Sequence, residues 1–191
     1  MSQNNPMKKY PSIPDLRSGA QARMPRFAFD YLDGGAGDEG GLANNRAAFH
    51  QVQFVPDYLE QRSDPETATE IFGRSYAMPF GVAPVGLSGL IWPRAAEYLA
   101  ATAKEANIPF CLSAMATSSI EKIGAIAGEH AWFQLYPLAD HGHEKELLDR
   151  AKAAGFSALL VTVDTPTTRR GLREIKNGMT VPPKLSLNNL S

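Results

Sequence analysis

Residues 131–174 read AWFQLYPLADHGHEKELLDRAKAAGFSALLVTVDTPTTRRGLRE, and the fold turns on this stretch. Two short apolar runs, AWFQLY and ALLVTVD, each end in polar groups able to do chemistry. Gln134 and Tyr136 close the first run; Thr162 and Asp164 close the second. Between them, residues 143–154 set Leu147, Leu148 and Ala151 on one helical stripe, turn charge outward and stop at Gly155. A strand, a helix and a second strand, with reactive side chains at the strand ends, are how a parallel α/β fold presents an active site.

Working upstream, the same unit recurs. PFGVAPVG from Pro79 is a strand candidate, and 94–106 a helix with Ala96, Leu99, Ala100 and Ala103 on one stripe. IPFCLSAM is a second strand. Ser118 and Glu121 then have capping-box spacing ahead of Ile120, Ile123 and Ile126. The apolar runs begin near residues 80, 108, 131 and 158, a cadence of roughly 30 residues that suits strand–helix repeats. Their near-continuous apolarity fits strands covered on both faces. A (β/α)8 TIM barrel needs ~250 residues. The expectation is therefore the first four βα units of such a barrel, residues 79–165. A helical extension and a small hairpin at ATEIFGRSYAMPF precede them in residues 1–78, and a loop after strand 4 begins in 166–191.

The extension contains a misleading match. Gly35-Ala36-Gly37-Asp38-Glu39-Gly40 fits G-x-G-x-x-G letter for letter. A dinucleotide loop must follow a strand and open a helix, so that backbone N–H groups face a pyrophosphate. Here the glycines follow a helix opened by Pro25, with Phe27 and Tyr31 on one face, and two carboxylates stand where a phosphate would sit. The reading is a helix stop at Gly34-Gly35, with Asp38 capping a helix over about 38–50.

Composition narrows the classes. Of 191 residues, 43% are hydrophobic and 20% charged, as in an ordinary soluble domain. A net charge of −1 offers no general attraction to nucleic acid. The single Cys111 excludes an internal disulfide and a cysteine-only metal site, and no metal is expected. No apolar run approaches the length of a membrane span or a signal peptide. Trp92 and Trp132 read as packing residues.

FDYLDGGAGDEGGLANNRAAF, PFGVAPVGLSGLIWP, CLSAMATSSIE, WFQLY, LLVTVDTP and REIKNGM occur in that order between Phe27 and Pro183. This set closely resembles the FMN-dependent α-hydroxy-acid dehydrogenase and oxidase family, specifically its L-lactate and (S)-mandelate dehydrogenase branch and the N-terminal half of that barrel. The resemblance implies FMN as cofactor and oxidation of an L-2-hydroxy acid to the 2-oxo acid, with electrons passed to a quinone or other acceptor. It implies that Ala83, Pro84 and Val85 lay their backbone against the flavin, and that Ser113, Gln134 and Thr162 hydrogen-bond its ring. Tyr31 and Arg173 match residues at the substrate carboxylate, with Arg169 and Arg170 as rivals for the arginine. Tyr136 matches the tyrosine at the reacting end of the substrate, and Asp164 the aspartate that orients a catalytic histidine. His50, His130, His141 and His143 do not match that histidine, which the resemblance assigns to the family's second half, so the 191-residue chain alone is expected to be inactive. Gly86 and GLSGLIWP favour a dehydrogenase over an oxygen-using oxidase. The expected partners are a small 2-hydroxy acid, an electron acceptor and further copies of the full-length chain. The expected location is cytoplasmic, with peripheral contact at the inner face of the cell membrane in some bacterial relatives.

Overall fold

A computed structural model describes residues 6–59, 64–164, 167 and 170–179. In chain order these form helices α1 (Pro6–Lys9), α2 (Ile13–Gln21), α3 (Arg26–Asp33) and α4 (Gly40–Phe49), then strands β1 (Thr69–Ile71) and β2 (Arg74–Tyr76). Helices α5 (Ser88–Ile91) and α6 (Ala95–Glu105), strand β3 (Phe110–Ser113), helix α7 (Ile120–Ala127) and strand β4 (Ala131–Leu135) follow. Helix α8 (His141–Ala153), strand β5 (Ala158–Val161) and helix α9 (Leu172–Asn177) come next, and a short 3-10 helix (Gly128–His130) joins α7 to β4. The described residues up to Pro56, together with those from Thr167 onward, make one compact unit; Asp57–Pro166 makes a second.

In the first unit, α2 starts on a capping box. The Asp15 N–H donates to Ser12 Oγ at 3.3 Å, and the Ser12 N–H donates to the Asp15 carboxylate at 3.1 Å. Those bonds satisfy donors that a first turn otherwise leaves orphaned, and they make a helix of a segment with modest apolar periodicity. Helix α3 follows Pro25 and buries Phe27, Ala28 and Phe29, while Tyr31 is half-buried. It ends at Gly34, whose N–H donates to the Asp30 carbonyl. A Cβ at Gly34 would collide with that carbonyl, so close approach requires the glycine. Asp38 accepts from the Gly40 N–H at 3.1 Å, and the Glu39 carboxylate accepts from the Gly35 N–H. Gly35 and Gly40 thus give their N–H groups to local carboxylates and Gly37 donates to the Arg170 carbonyl, so the glycine cluster serves as helix punctuation. Gly37 pairs with Gly171 in a parallel bridge, and Asn177 on α9 donates to Asp30 on α3.

In the second unit, β1 and β2 form the expected hairpin, with Thr69 opposite Tyr76 and Ile71 opposite Arg74. Both loop residues, Phe72 and Gly73, have positive φ (53° and 74°), as a tight two-residue turn of the hairpin twist demands. Strands β3, β4 and β5 make a parallel sheet in sequence order, pairing Phe110–Ser113 with Ala131–Gln134 and Trp132–Leu135 with Ala158–Val161. The expected strand in PFGVAPVG contracts to one parallel bridge between Val82 and Phe110. Pro79, Pro84 and the neighbouring Pro109 have no N–H to give a ladder, so pairing survives only where Val82 donates to the Pro109 carbonyl and accepts from Cys111.

Helices α6, α7 and α8 cover one face of the sheet. Ala100, Ala103, Phe110, Leu112, Ile123, Phe133 and Leu135 are buried there, and truncating a side chain such as Phe133 to Ala costs about 3–5 kcal/mol. Gly124 on α7 lies so close to the end of α8 that a Cβ would strike the Ala154 carbonyl. Two details depart from the pattern reading. Leu99 is 40% exposed, and Glu97 is buried in its place, paired with Arg94 and Lys122. Ser119, not Ser118, caps α7 by accepting from the Lys122 N–H, and Glu121 turns outward to Arg150. The expected cover on both faces fails at β5, where Leu159 is 48% exposed and Val163 beyond it 84%.

The other face of the sheet, carrying Cys111, Trp132 and Leu160, lines a groove of about 320 Å³ with Ala83 and Pro84 at its edge. Trp132 packs against Phe72 and Tyr76, ring centroids 5.7 and 6.1 Å away, so it is a packing residue as expected.

Candidate active site

Parallel register decides which side chains meet. Ser113 lies opposite Gln134, and Gln134 opposite Leu160, so the residue two beyond Leu160, Thr162, points to the same side. At the C-terminal ends of the three strands these side chains form a row. Ser113 Oγ donates to Gln134 Oε1 at 2.9 Å, and Gln134 Nε2 donates to Thr162 Oγ1 at 2.8 Å. Ser113 Oγ also accepts from the Met115 N–H at 3.1 Å. Ser113 and Gln134 are both buried.

The row is incompletely spent. A side-chain amide can donate two hydrogen bonds and accept two, and a hydroxyl donates one. Gln134 uses one of each, and Thr162 accepts without donating, among the described contacts. Alongside, Ala83, Pro84 and Val85 take part in no backbone hydrogen bond among the described residues; the chain is tied on either side, through Val82 and through the Leu87 N–H to Met115. Ala83 and Pro84 edge the apolar groove, and Val85 shares a small neighbouring cavity with Ser113. Unspent donors and acceptors beside an apolar surface suit the polar edge and flat face of a heteroaromatic ring, so these residues fit the flavin of FMN.

Tyr136 and Asp164 lie two residues beyond Gln134 and Thr162, past the strand ends, and both are exposed, Tyr136 by 39%. Two neighbouring strands thus carry hydrogen-bonding side chains at one level and the exposed Tyr136 and Asp164 at the next. Among the described residues no hydrogen bond joins Asp164 to a histidine. His130 sits at the opposite end of β4, its ring bonded to Asn107 at 3.0 Å and near Arg74 at 3.5 Å. Burial and the Arg74 charge hold His130 below the usual imidazole range. Burial pushes the Cys111 thiol up to about 12, which marks it as a core residue.

Tyr31 and Arg173 belong to the first unit. Arg173 on α9 does not stand alone there: its Nη1 donates to Asp33 at 2.8 Å and its Nη2 to Glu39 at 2.5 Å. Asp33 also accepts two bonds from Arg17, at 2.5 and 2.7 Å. Hydrogen bonds from Arg17, reinforced by Arg173, bring the Asp33 carboxyl down to about 2. Of the rival arginines, Arg170 is exposed and Arg169 lies outside the described residues. The Arg17–Asp33–Arg173–Glu39 network escaped sequence reading, since its bonded partners lie up to 140 residues apart and each looks like an ordinary helix-surface charge. The one available cue is that each carboxylate flanks the Gly34–Gly35 helix stop.

Comparison with known proteins agrees with this geometry. Residues 20–191 match the family described as FMN-dependent dehydrogenase. The chain is 40% identical over 171 residues to an L-lactate dehydrogenase of Pseudomonas syringae pv. syringae, covering 90% of this chain and 45% of the relative. It is 37% identical over 180 residues to a 4-hydroxymandelate oxidase of Amycolatopsis orientalis, covering 94% and 50%. The solved structure of the monotopic membrane protein (S)-mandelate dehydrogenase superposes with a TM-score of 0.86 at 33% identity, over 92% of this chain and 47% of that one. A mandelate oxidase structure gives 0.84 at 36% identity, over 94% and 51%. The chain therefore spans about half the length of the relatives it matches, and the expectation of a partial (β/α)8 barrel is borne out. With its parallel strands, its strand-end row and these similarities, the chain belongs to the FMN-dependent dehydrogenase family.

Proposed function

We propose that the protein carrying this chain oxidises an L-2-hydroxy acid of lactate or mandelate type to the 2-oxo acid and passes the electrons to a quinone or another acceptor. The observation that carries this reading is the half-spent Ser113–Gln134–Thr162 row at the strand ends. With the backbone of Ala83, Pro84 and Val85, that row holds the ring of FMN, which supplies the two-electron acceptor when bound. Tyr136 contacts the substrate at its reacting end, while Tyr31 and Arg173 bind its carboxylate. Asp164 orients a histidine base and stabilises its imidazolium through a hydrogen bond, as the carboxylate of a hydrolase triad does. The resemblance assigns that histidine to the family's second half and matches none of His50, His130, His141 and His143 to it, so the 191 residues alone are proposed to be inactive.

Similarity to 4-hydroxymandelate oxidase supports a second reading, an oxygen-using oxidase. Gly86 and the GLSGLIWP segment favour the dehydrogenase. No described helix is long and apolar enough to cross a membrane, and the likeness to a monotopic membrane protein supports peripheral membrane contact, which the proposal assigns to the inner face of the cell membrane with the protein otherwise cytoplasmic. A homo-oligomer of the full-length chain completes the proposal. The test is FMN content and turnover of the protein carrying this chain, with L-lactate and (S)-mandelate, using a dye acceptor without oxygen and then oxygen alone. Dye-coupled turnover is expected. Vigorous peroxide formation would sink the dehydrogenase reading, and a protein that takes up no FMN would sink both.

A further inference from the structure

We propose that Asp33 and Glu39 are positioning residues for substrate recognition, fixing the orientation in which the Arg173 guanidinium meets a carboxylate. This rests on the reading of Arg173 as the substrate arginine. The geometry is a clamp: Asp33 takes Nη1 and Glu39 takes Nη2, one carboxylate on each terminal nitrogen. A guanidinium is planar, with five N–H donors in a rigid fork, so fixing both ends fixes the plane and leaves three donors in set directions.

Each jaw of the clamp is itself held. Arg17 grips both Asp33 oxygens, and the Gly35 N–H donates to the free Glu39 oxygen at 3.3 Å. The Asp33 side chain is almost fully buried, and Arg173 and Glu39 are only partly exposed. The Arg173 stem lies beside Gly34 at the end of α3, which also bears Tyr31. The two groups assigned to the substrate carboxylate are thereby referenced to one helix.

The cluster holds two arginines and two carboxylates, so its formal charge is zero. An incoming carboxylate gains little from net positive charge and depends instead on where the remaining N–H groups point. That separates two roles for Glu39. Glu39→Gln keeps an oxygen that can accept from Arg173 and removes the charge; Glu39→Ala removes the acceptor and frees the fork.

The experiment uses the holoenzyme that carries this chain, with Glu39→Ala, Glu39→Gln, Asp33→Asn and Arg173→Met. KM and kcat are measured for whichever of L-lactate or (S)-mandelate turns over, and oxalate binding is followed independently from the flavin absorbance change. Glu39→Ala is expected to raise KM and the oxalate Kd about tenfold, the loss of one charge-assisted hydrogen bond, with a smaller change in kcat. Glu39→Gln should restore most of that loss. If Arg173→Met raises both constants while Glu39→Ala and Asp33→Asn do not, the positioning role is wrong and the assignment of Arg173 stands. If Arg173→Met leaves both constants unchanged, the assignment itself fails. If the acidic variants lower only Tm, the clamp is structural and the proposal is overturned; Asp33→Asn decides the matter should Glu39→Ala not fold.

Discussion

Replacing Gln134 with Leu isolates the strand-end row. The substitution roughly conserves volume but removes the acceptor for Ser113 Oγ and the donor to Thr162 Oγ1. Ser113 is 5% exposed and cannot turn to water; it keeps only the bond accepted from Met115 N–H. A buried hydroxyl left without its acceptor costs about 1–3 kcal/mol, whereas half-buried Thr162 can recover a water. The apo protein is therefore expected to lose about 1–3 kcal/mol, less whatever the leucine gains by burial. Adding Ser113→Ala should return part of that loss, because it removes the buried hydroxyl left without an acceptor, at the smaller cost of the bond from the partly buried Met115 N–H. The sign of this coupling is the sharp part: the double variant should be more stable than Gln134→Leu alone.

Flavin affinity should move the other way. If Gln134 gives the ring its unspent donor and acceptor, the lost bonds together are worth about 1–3 kcal/mol, or roughly tenfold to a hundredfold in the FMN Kd. Ser113→Ala should then add to the loss and not relieve it. Denaturant unfolding of the apo protein and a titration of flavin fluorescence quenching read the two quantities separately. Should Gln134→Leu bind FMN as tightly as the parent, the row is a structural bridge between strands and the cofactor assignment falls.

Two further outcomes follow from titrating groups. Asp33, brought down to about 2 chiefly by Arg17, favours folding above the ordinary carboxylate pKa, and that contribution is lost as pH falls through the folded value. At most about 2 kcal/mol should disappear between pH 4 and pH 2, and Asp33→Asn should flatten this part of the unfolding profile; an unchanged slope would remove Asp33 as its source. His130 is depressed by burial and by Arg74, so the unfolded chain binds a proton near pH 6.5 that the folded chain refuses. Tm should thus fall as pH drops below about 6.5, and His130→Gln should lessen that fall; equal slopes in both proteins would refute the assignment.

What could be read in advance was set by how locally each feature is encoded. A strand that ends on a polar residue announces both its own end and the level at which that side chain emerges. Ser113, Gln134 and Thr162 could therefore be singled out before their bonds of 2.9 and 2.8 Å were known. The same logic failed at PFGVAPVG, where apolarity suggested a strand but its two prolines and the facing Pro109 withheld the donors that pairing needs, leaving one bridge. It also failed at Leu99 and Glu97. A periodic stripe assumes a charged residue faces water, and the cations that make burying Glu97 tolerable come from Arg94 and, on the next helix, Lys122.

Arg173 shows the remaining limit and its consequence. A family motif can mark an arginine as the one that meets a carboxylate, but an arginine already holding two carboxylates presents a different physical problem from a free one. Binding a third must come from donors left over by the first two, so specificity moves into residues that never touch the ligand. Those residues are surface-type letters in a sequence, and only the folded unit shows that Glu39 and Asp33 face the same fork from opposite ends. If the clamp sets that orientation, exchanging Glu39 for Gln and for Ala must give different affinities, although both exchanges remove the same charge.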